Sequence, residues 1–257
     1  MVFRKLMAAF GAGVEVDTVL RTTTVRPGEM LRGDVHFRGG GSDYKVEGIY
    51  IDLTAVVEIE SGDNEYRTTY SFLRQQVAGT FQLASGASHS QAFEIPIPWE
   101  TPISAIGGHP LPGMRLGVQT ELALAGAVDK GDLDPLFVSP LAAQEHVISA
   151  LDRLGFHFKK ADLERGTLYG STMPFFQEIE YYAGGQWRKH FNELELTFIA
   201  GPHQMDVILE ADKRGGFLSS GHDSYNRFTV RYGDHPGAAE QALQHGLQAM
   251  ARHRGWF

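Results

Sequence analysis

Apolar residues occupy every second position from Ile49 to Ile59 (Ile49, Ile51, Leu53, Ala55, Val57, Ile59), while Tyr50, Asp52, Thr54, Glu58 and Glu60 fall on the other face. A period of two is that of a β-strand with one buried face. Ser61-Gly62-Asp63-Asn64 then supplies turn chemistry, and Tyr66, Thr68, Tyr70 and Phe72 share one side of a returning strand, so the stretch reads as a long hairpin. Shorter runs follow at Phe81–Leu83, Gln91–Pro98, Arg115–Leu124 and Leu136–Val138, separated by Gly, Pro, Ser and Asp. This pattern predicts antiparallel sheets packed face to face. Pro96 and Pro98 have no amide to donate, which places Phe93, Ile95 and Ile97 on an edge or at a strand end.

Near the start, Val14, Val16 and Thr18 already alternate. In TVRPGEMLRGDVHF, Pro27 presets φ and Gly28 can take positive φ, the requirement of a type II turn at its two central positions. Leu31, Gly33, Val35 and Phe37 then alternate with Met30, Arg32, Asp34 and His36, and Gly33 marks a bulge or a close backbone approach. The period changes at Ser139-Pro140, where serine can cap and proline suits the first helical position, and Leu141, Val147, Ile148, Leu151 and Leu154 form one helical face. Gly155 is the expected stop. Strand patterning resumes with Phe156 and Phe158, then Phe175–Tyr182, Leu194-Leu196-Phe198, Met205-Val207-Leu209 and Phe228-Val230-Tyr232. A last helix places Ala239, Leu243, Leu247 and Met250 on one stripe. The expected fold is mostly β, in two tandem antiparallel sandwich domains: residues 1–139, and residues 140–257 with flanking helices.

With 257 residues, the chain has room for either one large domain or two compact ones. Its 31 acidic and 23 basic side chains give a formal charge of −8, which argues against broad binding to nucleic acid phosphates. Cysteine is absent, excluding disulfides, thiolate metal sites and a cysteine nucleophile, and this fits a reducing cytoplasm. Arg4 and Lys5 precede an apolar stretch, but it is short and strand alternation follows at once, so no export is expected. Nor is any apolar run long enough to span a bilayer.

Several segments carry a resemblance: V-D-T-V-L at Val16–Leu20, P-G-E-x-x-x-G-x-V-x-F at Pro27–Phe37, the long Ile49–Ile59 strand, F-E-I-P-I-P at Phe93–Pro98, D-K-G-D-L-D-P-L-F-V at Asp129–Val138, and M-P-F-F-Q-E-I-E-Y-Y at Met173–Tyr182. In their order and spacing the chain resembles the bacterial sporulation-control family, SpoOM-like, distant relatives of arrestins. The resemblance implies two tandem arrestin-like sandwiches. It also implies a regulatory, non-enzymatic cytoplasmic role in sporulation or cell division, with division or cytoskeletal proteins as partners. It brings no catalytic residue, cofactor or metal.

Candidate chemistry adds little to that picture. Gly39-Gly40-Gly41-Ser42 lacks the lysine of a phosphate-binding loop and precedes a strand, so it reads as an interstrand loop. His222, Asp223 and His235 lack ligand spacing and read as surface loop residues. Asp129, Asp132 and Asp134 cluster in an acidic loop but do not match a calcium-loop pattern. Glu178, Glu180, Glu193 and Glu195 alternate as ordinary charges on a wet face; as an acid–base pair they would suit a β-sandwich hydrolase of unrecognised type. If helical, the N-terminus puts Phe3, Met7 and Phe10 on one face beside Arg4 and Lys5. The C-terminus ends with Arg252, Arg254, Trp256 and Phe257. Both ends suit partner docking or a weak contact with an anionic membrane surface. The leading expectation is a protein-binding adaptor, with a peripheral membrane module and a hydrolase as alternatives.

Overall fold

The computed structural model describes residues 13–61, 64–213 and 224–252. In chain order the elements are β1 (Glu15–Leu20), β2 (Thr24–Val25), β3 (Met30–Arg38), β4 (Tyr44–Ser61), β5 (Asn64–Ala78), β6 (Phe81–Leu83), β7 (Ser88–Pro96), β8 (Ala105–Ile106), β9 (His109–Pro110), β10 (Leu116–Leu124), β11 (Lys130–Val138), α1 (Ala142–Arg153), β12 (His157–Arg165), β13 (Phe175–Tyr182), a 3-10 turn (Gly185–Lys189), β14 (Phe191–Ala200), β15 (Gln204–Lys213), β16 (Ser224–Arg231) and α2 (Pro236–Arg252). The expected hairpin is β4 with β5, paired antiparallel from Ile49↔Ala78 to Ser61↔Asn64.

In the first half a small sheet, β1-β3-β7, faces the part of the large sheet built on β4, β10 and β11. Leu31, Val35, Phe93 and Ile95 from the small sheet join Ile49, Ile51, Leu53, Val57, Val118 and Leu122 from the large one in a single core. Among the described residues β7 pairs only with β3, so its Pro96 lies on an edge, where the missing amide costs no ladder bond. The Pro27-Gly28 turn forms as expected: the Glu29 amide donates to the Arg26 carbonyl at 3.1 Å and Gly28 has φ +82. Gly33 marks a close approach rather than a bulge. The register of β3 runs unbroken on both sides, and a Cβ there would sit 2.6 Å from the Phe93 ring.

The large sheet does not stop at the end of the first half. Its order is β16-β15-β14-β13-β12-β4-β10-β11-β2, with β5 and β6 on the other side of β4. Strand β12 enters parallel to β4, with Glu164 opposite Glu58. The second-half strands bury Leu163, Ile179, Leu194, Leu196, Val207 and Leu209, and Val147 and Leu151 of α1 and Leu243 and Leu247 of α2 belong to the same core. The two helices pack on each other, and α2 lies on β15 and β16.

Gln177 ties the halves together from β13. Its amide nitrogen donates to the Ile103 carbonyl at 2.7 Å, and its oxygen accepts the Ile103 amide at 2.9 Å. Glu100 accepts from the Ser171 hydroxyl and from the Thr172 amide and hydroxyl, and Phe72 meets Phe175 edge to face.

Two boundaries differ from expectation. Ser139 does not cap α1, because its amide is still in strand pairing, donating to the Val25 carbonyl at 2.8 Å. The helix begins at Ala142, and the Gln144 side chain accepts the Leu141 amide instead. The acidic loop around Asp132 and Asp134 is part of strand β11, with these residues opposite Thr120 and Val118, because β10 supplies their backbone partners, while β2 pairs only with Phe137 and Val138 at the end of the strand. At the other end of α1 the expected stop holds: Gly155 has φ +89, its amide donates to Asp152 and the Phe156 amide to Leu151, the paired bonds of a Schellman end.

Gly28→Ala tests the turn. The backbone there holds a positive φ that a Cβ disfavours, and the new Cβ would lie 2.5 Å from the Trp99 ring. Chemical denaturation is expected to show a loss of about 1–3 kcal/mol or more, against almost none for a substitution at the open position Gly79.

Candidate functional site

Beyond β4 the outward face of the large sheet carries carboxylates on successive strands. Glu58 stands opposite Glu164, Asp162 opposite Glu178, Glu180 opposite Glu195, and Glu195 opposite Glu210. Like charges directly opposite each other destabilise a sheet, so this arrangement needs compensation. Part of it comes from lysines on β12. Lys160 Nζ lies 2.6 Å from Asp162 and 2.9 Å from Glu180, and Lys159 Nζ lies 2.7 Å from Glu180 and 2.6 Å from Glu193. Arg67 of β5 pairs with Glu58.

These are not the fully wet charges expected from alternation. Glu58, Asp162 and Glu180 are only 4–6% exposed, because neighbouring strands crowd their side chains together. Burial pushes the Asp162 carboxyl up despite the Lys160 bond. It also acts to raise Glu180, but hydrogen bonds from Lys159 and Lys160 outweigh it and hold that group below its ordinary value. Burial, followed by the charges of Glu195, Asp162, Glu164 and Glu210, pushes Glu178 up to about 8. Oxygens of Glu58, Asp162 and Glu164 lie within 4.8 Å of one another, and so do those of Asp162, Glu178 and Glu180. Either set has the hard-oxygen chemistry of a divalent cation site. The cavities around Trp99, Leu133 and Trp187 are lined by other residues, so none of these three holds a substrate against the cluster.

The other candidates are dispersed. Asp129 accepts the Leu124 amide, and Asp132 accepts the amides of Thr18 and Leu133, so backbone donors already engage both. Asp134 lines an apolar groove of about 510 Å³ with Val56, Thr69, Leu133 and Phe137, and its Oδ2 is buried without a partner. His235 accepts the Gly237 amide at the start of α2; His222 and Asp223 lie outside the described residues. So do Phe3, Arg4, Lys5, Met7, Phe10, Arg254, Trp256 and Phe257. Arg252 is exposed at the end of α2, beside a cavity shared with Trp187 and His190. Among the described residues no helix is long and apolar enough to cross a membrane.

The SpoOM protein family matches residues 3–215 of this sequence. The chain belongs to that family. It is 33% identical over 214 residues to the sporulation-control protein spo0M of Bacillus subtilis (strain 168), covering 82% of this chain and 81% of the relative. The crystal structure of Spo0M from Bacillus subtilis superposes with a TM-score of 0.82 at 27% identity, covering 93% of this chain and 99% of that one. The fold is therefore the arrestin-like one expected from the sequence, mostly β, with its connecting and C-terminal helices. Sequence reading missed the convergence of Glu58, Asp162 and Glu164, since only the pairing of β4 with β12 unites residues more than a hundred positions apart.

Burial, then the charges of Asp132 and Asp17, push the Asp134 carboxyl up to about 6. A raised carboxyl keeps its proton in the folded state, so its ionisation erodes stability as pH rises from about 4 to about 6. Asp134→Asn is expected to stabilise the fold at pH 7.5 by on the order of 1 kcal/mol, since the carboxyl is half exposed and solvent screens much of the shift, seen as a higher melting temperature, and to change it little at pH 4. Thermal melts of both proteins across that range check the sign.

Proposed function

We propose that this chain is a non-enzymatic regulatory adaptor in sporulation control that works by binding protein partners. Family membership, with a relative named a sporulation-control protein, supports the regulatory role. The observation that carries the adaptor mechanism is the outer edge of β5. This strand, Asn64–Ala78, pairs with β4 on one side and with no strand on the other among the described residues. Such an edge offers unpaired N–H and C=O groups to an incoming strand, and side-chain pockets beside it supply selectivity. Thr69 of β5 also joins Val56, Leu133 and Phe137 in lining the groove over β4, β10 and β11, and Leu133 is 61% exposed there.

In this reading division or cytoskeletal proteins are the first partners to look for, and the terminal residues named above form a second contact. Affinity capture of crosslinked protein from the native host tests it, comparing the wild type with Tyr66→Lys/Thr69→Lys on β5 and with Phe3→Glu/Phe10→Glu. Specific partners are expected with the wild type and a severalfold loss with the β5 variant; loss with the terminal variant would add the N-terminus to the contact. Undiminished capture by a folded β5 variant would remove the edge mechanism. Background alone, or turnover in a substrate panel, would overturn the adaptor reading.

A further inference from the structure

Trp187 sits in the 3-10 turn between β13 and β14, its ring stacked against Phe156 and Phe191 with centroids 6.2 Å from each. The residue is 4% exposed, and its Nε1 is buried with no hydrogen-bond partner. An indole N–H can only donate, so burying it without an acceptor is costly. Trp187 also lines a cavity of about 230 Å³ shared by this turn and the end of α2. The rest of the wall is rich in donors. Gln186 and Lys189 come from the turn, His190 follows it, Gln248 and Arg252 come from α2, and no carboxylate lines the cavity. Neither Lys189 nor Arg252 is ion-paired among the described residues. Each stands in the last turn of its helix, where a cation offsets the partial negative charge of the helix end. That partial charge is at most about half a unit at each end, so two full cations leave an excess of about one positive charge at the cavity. The excess stands out in a chain of formal charge −8. A planar carboxylate matches a single guanidinium fork, whereas a phosphomonoester offers three acceptor oxygens and carries about −1.5 to −2 charges at pH 7. Two cations from separate elements, with amide and indole donors between them, suit the second group.

We propose that this cavity binds a phosphomonoester, with Lys189 and Arg252 neutralising its charge and the Trp187 indole N–H, Gln186 and Gln248 donating to its oxygens. A soluble ester and a membrane lipid such as phosphatidic acid carry the same group, and the donors named here recognise that group. The inference stands apart from the adaptor reading, since it involves neither the β5 edge nor the groove beside Leu133.

The test uses the full chain in about 0.15 M sodium chloride, which screens diffuse attraction. In one arm it is titrated with glycerol 3-phosphate by calorimetry and by NMR of the indole N–H groups. In the other it is sedimented with phosphatidylcholine vesicles, with and without phosphatidic acid. Saturable binding is expected in at least one arm. Lys189→Ala and Arg252→Ala, both at exposed positions, should each weaken it roughly tenfold or more, while Arg38→Ala, exposed on β3, leaves it unchanged. In the soluble arm the Trp187 indole resonance should move with saturation and that of Trp99 should not. Binding of the soluble ester supports the site as a pocket for a free ligand, and binding only to vesicles with phosphatidic acid supports it as a headgroup site. No binding in either arm, or equal binding by every variant, overturns the proposal. A saturating titration that leaves the Trp187 resonance in place overturns it as well.

Discussion

The whole arrangement depends on one strand having neighbours along both of its edges. β4 is 18 residues long, and its first part is flanked by β5 and β6 on one side and β10 on the other. Its inward residues Ile49, Ile51, Leu53 and Val57 are fully buried and carry the core of the first sandwich. Its last turns run past the end of β10, and β12 takes the place that β10 leaves. A strand that ended at Ala55 would make the first sandwich and leave the second sheet without a neighbour. The length of the alternation is therefore an architectural instruction as well as a hydrophobic one.

Much of this was legible because period-two alternation is a local property. The hairpin, the Pro27-Gly28 turn, the end of α1 at Gly155 and the edge placement of Pro96 each depend on a few neighbouring residues, and the structure carries them out. Nonlocal pairing was not legible. Ser139 has the chemistry of a cap, but its amide is claimed by Val25, more than a hundred residues earlier. Asp132 and Asp134 read as a loop because their strand is recognisable only once β10 pairs along it. Alternation placed Glu180 on the outward face, but it could not show that Lys159, Lys160 and the adjoining strands would bury it there.

The same division applies to function. Short motifs spread through the chain pointed to the SpoOM family, and both the family match and the Bacillus subtilis structure agree. What the fold adds is a distribution of surfaces. Among the described residues the first half presents a long open edge and an apolar groove, while the outward face of the second half is acidic and crowded. An apolar groove beside free backbone suits recognition of an extended segment, whereas paired carboxylates on a sheet favour compensation by cations. The seam separates two surfaces with different physical demands, and Gln177, bonded to both backbone groups of Ile103, keeps them in fixed register.

The central claim is that a sheet continuous through β4 makes the two halves one cooperative unit. Native-state hydrogen exchange followed by mass spectrometry at increasing denaturant measures this directly, comparing peptides from β4–β10 with peptides from β13–β15. The account predicts that both sets merge into a single opening reaction with one free energy and one denaturant dependence. Exchange of β13–β15 through a separate, lower-energy opening while β4–β10 stays protected would contradict it.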